Sequence, residues 1–266
     1  MAYETLILEK EGSIRIVTLN RPDRLNALNG QLFSELTQVI SEVERDSECV
    51  SVIITGAGRG FCAGADIKEM AAPGGRRPSD GSRGSRGSGS TRFSLYNRLE
   101  ELGKPVIAAI NGPCNGGGME IALCCDFRLA SEVASFGLGE VKLGVIPLAG
   151  GTARLPRLIG SARAKEFLYF GNTVPAAEAY RIGLVNKVLA PDELIPEAKR
   201  WAAELAERPP LSLRMLKSCV NVGMQMNLLD AIDYESKCGA ILSRSEDRAE
   251  GMRAFVEKRK PVFKGR

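Results

Sequence analysis

The stretch Asn111-Gly-Pro-Cys-Asn-Gly-Gly-Gly-Met-Glu-Ile-Ala-Leu-Cys-Cys-Asp126 constrains this chain more than any other. An apolar run over residues 105–110 leads into it and predicts a short buried strand. Turn residues open the stretch, and apolar positions at helical spacing follow at Met119, Ile121, Ala122 and Cys125. Gly116, Gly117 and Gly118 therefore fall where a helix begins. Glycine leaves the backbone N–H groups uncovered there, and the helix dipole adds positive potential at the same place. With Glu120 in the first turn, the stretch offers a bare N–H for a developing oxyanion and a carboxylate to move a proton. The same residues also fit a glycine packing joint followed by a dipole-complementing glutamate, and alone they do not choose.

A chain of 266 residues can bury a large core, as one α/β domain or one domain with an appendage. Its net charge of +4 is too mild to imply a polyanion partner and suits an anionic small molecule. The first residues, Met-Ala-Tyr-Glu-Thr, carry no basic or apolar leader, and no apolar run reaches membrane-spanning length. A soluble, cytoplasmic protein without a membrane partner is the expectation. Histidine is absent, which removes Ser-His and Cys-His nucleophiles and His-based zinc sites together. Acid–base chemistry must then use carboxylates, Lys, Tyr or Cys. Seven cysteines without a C-x-x-C spacing, including Cys62, Cys114, Cys124 and Cys125 in small or apolar surroundings, read as buried free thiols.

In chain order, residues 3–10 and 13–20 alternate as strands around a turn at Glu11-Gly12. Leu32, Phe33, Leu36, Val39, Ile40 and Val43 predict an amphipathic helix over 31–44, and residues 50–55 a buried strand. That order argues for α/β architecture. The glycines at 56, 58 and 60 invite a dinucleotide-binding reading, which fails: no helix opens at once and no acidic strand end follows. What remains is a loop of small residues from Cys62 to Ala65, then Asp66 as N-cap of a short helix. Residues 71–92 turn to Gly, Ser, Pro and Arg and read as a mobile loop. Its Arg76, Arg77, Arg83, Arg86 and Arg92 suggest a nucleic-acid arm, disfavoured because no aromatic is present to stack bases. Helical spacing resumes over 93–102, and a short strand is predicted at 127–130. Glu140 lies among glycines and apolar residues, where its pKa would rise as suits a proton donor, although a surface glutamate near a turn has the same appearance. Helices are predicted at 162–169, 176–182, 193–207, 211–222, 228–241 and 246–257, with a strand at 185–189.

Six motifs in one order resemble the crotonase (enoyl-CoA hydratase/isomerase) superfamily over nearly the whole chain. They are Asn20-Arg-Pro-Asp-Arg-Leu-Asn-Ala-Leu28, Phe61-Cys-Ala-Gly-Ala-Asp-Ile-Lys-Glu-Met70 and Lys104-Pro-Val-Ile-Ala-Ala-Ile-Asn-Gly112. Gly116-Gly-Gly-Met-Glu120, Phe136-Gly-Leu-Gly-Glu140 and Gly144-Val-Ile-Pro-Leu-Ala-Gly-Gly151 complete the set. The resemblance implies an α/β fold, a spiral of ββα repeats over residues 1–190, and a C-terminal helical trimerisation region over 191–266. It implies a homotrimer or homohexamer, an acyl-CoA thioester substrate, and no metal or cofactor beyond the coenzyme A of the substrate. Two backbone N–H groups grip the thioester oxygen in that family, and the matching positions are Ala65 and Gly117. Substrate contacts are implied at Ala63, Ala65, Asp66, Ile67, Lys68, Gly116 and Gly117, with Lys68 toward the nucleotide part. Hydratases in the family carry two glutamates, and the matching residues are Glu120, the water-activating base, and Glu140, the proton donor to the α-carbon.

Leu138-Gly139 stand where many hydratases have a polar residue and proline, and the Arg/Gly/Ser loop is longer than usual, so acyl specificity stays open. Reversible hydration of a 2-enoyl-CoA is the expected reaction. The alternatives are double-bond isomerisation, hydration of a cyclic dienoyl-CoA, an RNA-binding homologue and an inactive scaffold.

Overall fold

The computed structural model describes residues 3–71 and 95–266. The arginines at 76, 77, 83, 86 and 92 lie outside the described residues, as does Phe93. The chain opens with an antiparallel hairpin of Leu6–Glu11 (β1) and Ile14–Leu19 (β2). Helix Gly30–Arg45 (α1) leads to strand Ser51–Gly56 (β3), and the helices Ile67–Ala71 (α2) and Leu95–Glu101 (α3) precede Val106–Ile110 (β4). A two-residue strand, Cys114–Asn115 (β5), runs into helix Gly117–Cys124 (α4), followed by strands Phe127–Ser131 (β6) and Ser135–Gly137 (β7). After a 3-10 turn at Glu140–Leu143 come helices Gly151–Ile159 (α5) and Ser161–Phe170 (α6). Strand Thr173–Pro175 (β8), helix Ala176–Arg181 (α7) and strand Lys187–Leu189 (β9) follow. The chain closes with helices Leu194–Ala206 (α8), Pro210–Gly223 (α9), Leu228–Leu242 (α10) and Glu246–Glu257 (α11).

The main sheet runs β1-β2-β3-β4-β6-β9, parallel from β2 onward. The central strands β3 and β4 are covered on both faces, which is why they read as unbroken apolar runs. Val52 and Ile54 point into the larger core with α1, α3 and α4, and Ile53 points into a second core closed by Leu194, Ala198 and Ala202 of α8. The predicted apolar stripe of α1 is buried, and Asn29 caps that helix by accepting from Leu32 N–H at 2.9 Å.

Beside the sheet lies a second layer of short extended segments. Leu28 bridges Ala65, Cys62 bridges Cys114, β5 pairs in parallel with β7, and β7 pairs antiparallel with β8. Main-sheet strands thus give way to short segments that stack one level further on, and the chain climbs as a spiral. The second layer places the loop after β3 against the start of α4. The glycines after β3 do not open a dinucleotide-binding helix, since the next helix is α2.

No helix of the described residues is long and apolar enough to cross a membrane. Six cysteines are buried, Cys219 is half-buried, and all seven are free thiols. Helix α9 buries none of its residues and α10 only Cys238, leaving Leu216, Val220, Leu228 and Leu229 exposed.

Candidate active site

The predicted oxyanion donors meet where the second layer reaches α4. In the parallel bridge to Leu28, Leu28 N–H donates to Gly64 O at 2.7 Å and Asp66 N–H donates to Leu28 O at 3.0 Å. That register turns the Ala65 N–H to the opposite side. Gly117 is the first residue of α4, so its N–H has no partner within the helix. A Cβ on Gly117 would stand 3.9 Å from Ala65 N, so the two amides share one small space. Close packing of backbones makes this approach feasible. A Cβ on Gly64, whose φ is +94°, would lie 2.9 Å from Asn115 O and 3.3 Å from Gly117 N. Gly118 is equally constrained, with Cys62 O 2.4 Å from where its Cβ would sit. The three-glycine start of α4 is therefore both a packing joint and an anion-ready helix end.

Glu140 lies beside Gly116 at the edge of this space, and Glu120 lies one turn further along α4. Glu120 is 4% exposed and accepts from Ala149 N–H at 2.7 Å and Gly151 N–H at 2.9 Å, both on Oε1. Glu140 is half-buried at the start of the 3-10 turn, and its Oε1 lies 3.2 Å from where a Cβ on Gly116 would sit. Burial pushes the Glu120 carboxyl above its ordinary value; the two N–H donors and Arg154 oppose this, and the Glu140 charge adds to the rise.

Of the other predicted contact residues, Ala63 N–H donates to Leu25 O at 2.9 Å, which pins the loop. The Asp66 carboxylate is taken by Arg21 at 3.0 Å. Burial raises its pKa, but the Arg21 bond and the Glu69 and Lys68 N–H groups hold it below the ordinary aspartate value. The Asp66 side chain thus anchors the loop, capping α2 through Glu69 N–H at 3.4 Å. Ile67 and Lys68 are exposed on the first turn of α2, open to a ligand running past the loop. Cys62 lies under Gly118, and burial pushes its thiol up to about 12, so it is protonated at neutral pH and not a nucleophile. Among the described residues no group of three or more Cys, Asp or Glu is placed to hold a metal ion.

Sequence reasoning missed Tyr96, Ala149, Gly151 and Arg154. Tyr96 is buried on α3, and its hydroxyl lies 3.3 Å from where a Cβ on Gly117 would sit. Burial raises its pKa well above the ordinary tyrosine value, with Glu120 and Glu140 contributing, so the phenol stays protonated beside the amide pair. Only the helical spacing around residue 96 was visible beforehand. Ala149 and Gly151 act through backbone N–H groups, and the Gly150-Gly151 pair near Arg154 was the one available signal.

The arrangement can stabilise negative charge on one oxygen while a buried carboxylate takes or gives a proton nearby. Comparison with known proteins gives the same direction. The model of the enoyl-CoA hydratase/isomerase family matches residues 9–266. The chain is 46% identical over 261 residues to a short-chain-enoyl-CoA hydratase of Clostridium acetobutylicum, covering 98% of this chain and 97% of that one. It is 42% identical over 264 residues to a crotonyl-CoA hydratase of Syntrophomonas wolfei, covering 99% of each. A solved enoyl-CoA hydratase from Bacillus anthracis superposes with a TM-score of 0.89 at 37% identity, covering 99% of this chain and all of the other.

Proposed function

The chain belongs to the enoyl-CoA hydratase/isomerase family and is an enoyl-CoA hydratase, and we propose that Ala65, Gly117, Glu120 and Glu140 carry its reaction. The supporting observation is the shared space of the Ala65 and Gly117 amides, with Glu140 beside Gly116 and the buried Glu120 one turn along the same helix. The thioester oxygen of a 2-enoyl-CoA accepts from both amides, which makes C3 electrophilic. Glu120, oriented through Oε1, takes a proton from water by Oε2 as the water oxygen bonds to C3. The C2=C3 electron pair moves onto the thioester, and the resulting enolate oxygen stays in the amide pair. Glu140 then delivers its proton to C2, giving a 3-hydroxyacyl-CoA. Two carboxylates in one dry pocket carry one proton between them at the start and the end of the cycle. Restoring it to Glu140 completes turnover. Every step also runs backward, as dehydration.

In this reading the coenzyme A of the substrate passes Ala63, Ala65, Asp66, Ile67 and Lys68, and no further cofactor is required. Residues 1–190 carry the chemistry in the cytoplasm, and residues 191–266 carry assembly into a homotrimer or homohexamer. Exposed Leu216, Val220, Leu228, Leu229 and Phe255 on α9, α10 and α11 support a second copy of the chain as the cover for those helices. The names of the two relatives direct the first assay to crotonyl-CoA. Turnover in oxygen-18 water should place label on C3 of 3-hydroxybutyryl-CoA; an unlabelled isomer as product would contradict hydration.

A pH dependence follows from the raised Glu120 pKa. The base must be ionised, so hydration falls as pH drops through that pKa. The acidic limb of kcat/KM is expected above the ordinary glutamate value of 4.5. A profile flat down to that value would contradict the role of Glu120.

A further inference from the structure

The turn that holds Glu120 is itself held by a cation. Arg154, near the start of α5, donates from Nη1 to Ala149 O at 2.9 Å and from Nη2 to Asn97 Oδ1 at 2.8 Å and Glu100 Oε2 at 2.7 Å. Its side chain is 13% exposed. Ala149 is the residue whose N–H fixes Glu120 Oε1, while Asn97 and Glu100 share α3 with Tyr96. Gly150, between the two N–H donors, has φ +102°, and a Cβ there would stand 1.9 Å from Arg154 Nη1. The guanidinium therefore lies directly against the backbone of the cradle.

We propose that Arg154 is a positioning residue for Glu120: it fixes the Ala149–Gly151 turn to α3 and places a permanent positive charge behind the carboxylate. The inference rests on the assignment of Glu120 as the base. The ionisable groups that face Glu120 are Glu140 from the 3-10 turn, Tyr96 from α3, Cys124 from its own helix and Arg154 from α5. Arg154 alone of these is cationic. Burial and Glu140 both push the Glu120 carboxyl up, so loss of the cation moves it further in that direction. A residue that served folding alone would leave the protonation of Glu120 where it was.

The test compares wild type, Arg154→Gln, Arg154→Lys and Glu120→Gln in crotonyl-CoA hydration across pH. Arg154→Gln is expected to lower kcat/KM at neutral pH by about 10- to 100-fold, as for loss of a charged hydrogen bond, and to move the acidic limb to higher pH. Arg154→Lys keeps the charge without the three-way fork. It is expected to lose turnover with its limb near that of wild type, and it supplies the readout if the Gln variant does not fold. An unmoved limb in Arg154→Gln, or wild-type kcat/KM in Arg154→Lys, overturns the inference if Glu120→Gln is inactive. Turnover by Glu120→Gln would instead show that the assignment of the base has failed.

Discussion

Glu120→Gln is expected to lower kcat for crotonyl-CoA hydration by on the order of 10²- to 10⁴-fold, with acyl-CoA binding changed only a few-fold. Glutamine matches the shape of glutamate, and its amide oxygen can occupy the Oε1 position. The Ala149 and Gly151 N–H groups then keep their acceptor, at 2.7 and 2.9 Å in the native site. The substitution removes the ability to take a proton from water and little else. Folding should survive, because the substitution also removes a buried carboxylate that its surroundings already disfavour in ionised form. Steady-state kinetics and thermal unfolding together check this. Near-wild-type turnover would remove Glu120 from the mechanism, whereas a collapse in Tm would mean that the cradle is not preserved.

Removing one amide of the proposed oxyanion pair should be nearly as costly. Gly117→Pro deletes the N–H at the first position of α4, where proline is tolerated and the helix loses no internal hydrogen bond. Loss of one such donor lowers kcat by about 10²- to 10³-fold. Gly117→Ala is the steric control, since it keeps the N–H and adds the Cβ. That Cβ would meet Leu28 Cδ1 at 2.9 Å and Tyr96 Oη at 3.3 Å, both at the far ends of side chains that can shift. The alanine variant should therefore lose much less than the proline variant. Equal losses would assign the effect to crowding and not to the missing donor.

The half of the site contained in one contiguous stretch was legible in the sequence. The run from Val106 to Cys124 is a strand, a turn and a helix in direct succession, and its glycines and Glu120 occupy the predicted places. Ala65 and Gly117 were reached through the resemblance, and the bridge register of Leu28 gives a physical reason for the direction of the Ala65 N–H. Segments too short to show a periodicity were not legible. β5, β7 and β8 have only two or three residues each, yet β5 and β7 form the layer that brings Glu140 beside Gly116. The residues surrounding Glu120 were hidden for a different reason. Ala149 and Gly151 contribute backbone donors, which carry no side-chain signature, and they lie about thirty residues from the carboxylate they hold. Tyr96 reads as one more apolar position of a short helix until tertiary packing aims its hydroxyl at the site.

The central claim is that Glu120 and Glu140 act as one unit on one substrate, and a double-mutant cycle tests it most directly. The kcat for crotonyl-CoA hydration is measured for wild type, Glu120→Gln, Glu140→Gln and the double variant. Groups that act as a unit lose grossly less together than the product of their separate losses. The double variant is therefore expected to turn over within a few-fold of the worse single variant. Losses that multiply, each carboxylate contributing its full factor in the absence of the other, would contradict a shared pocket and a shared proton.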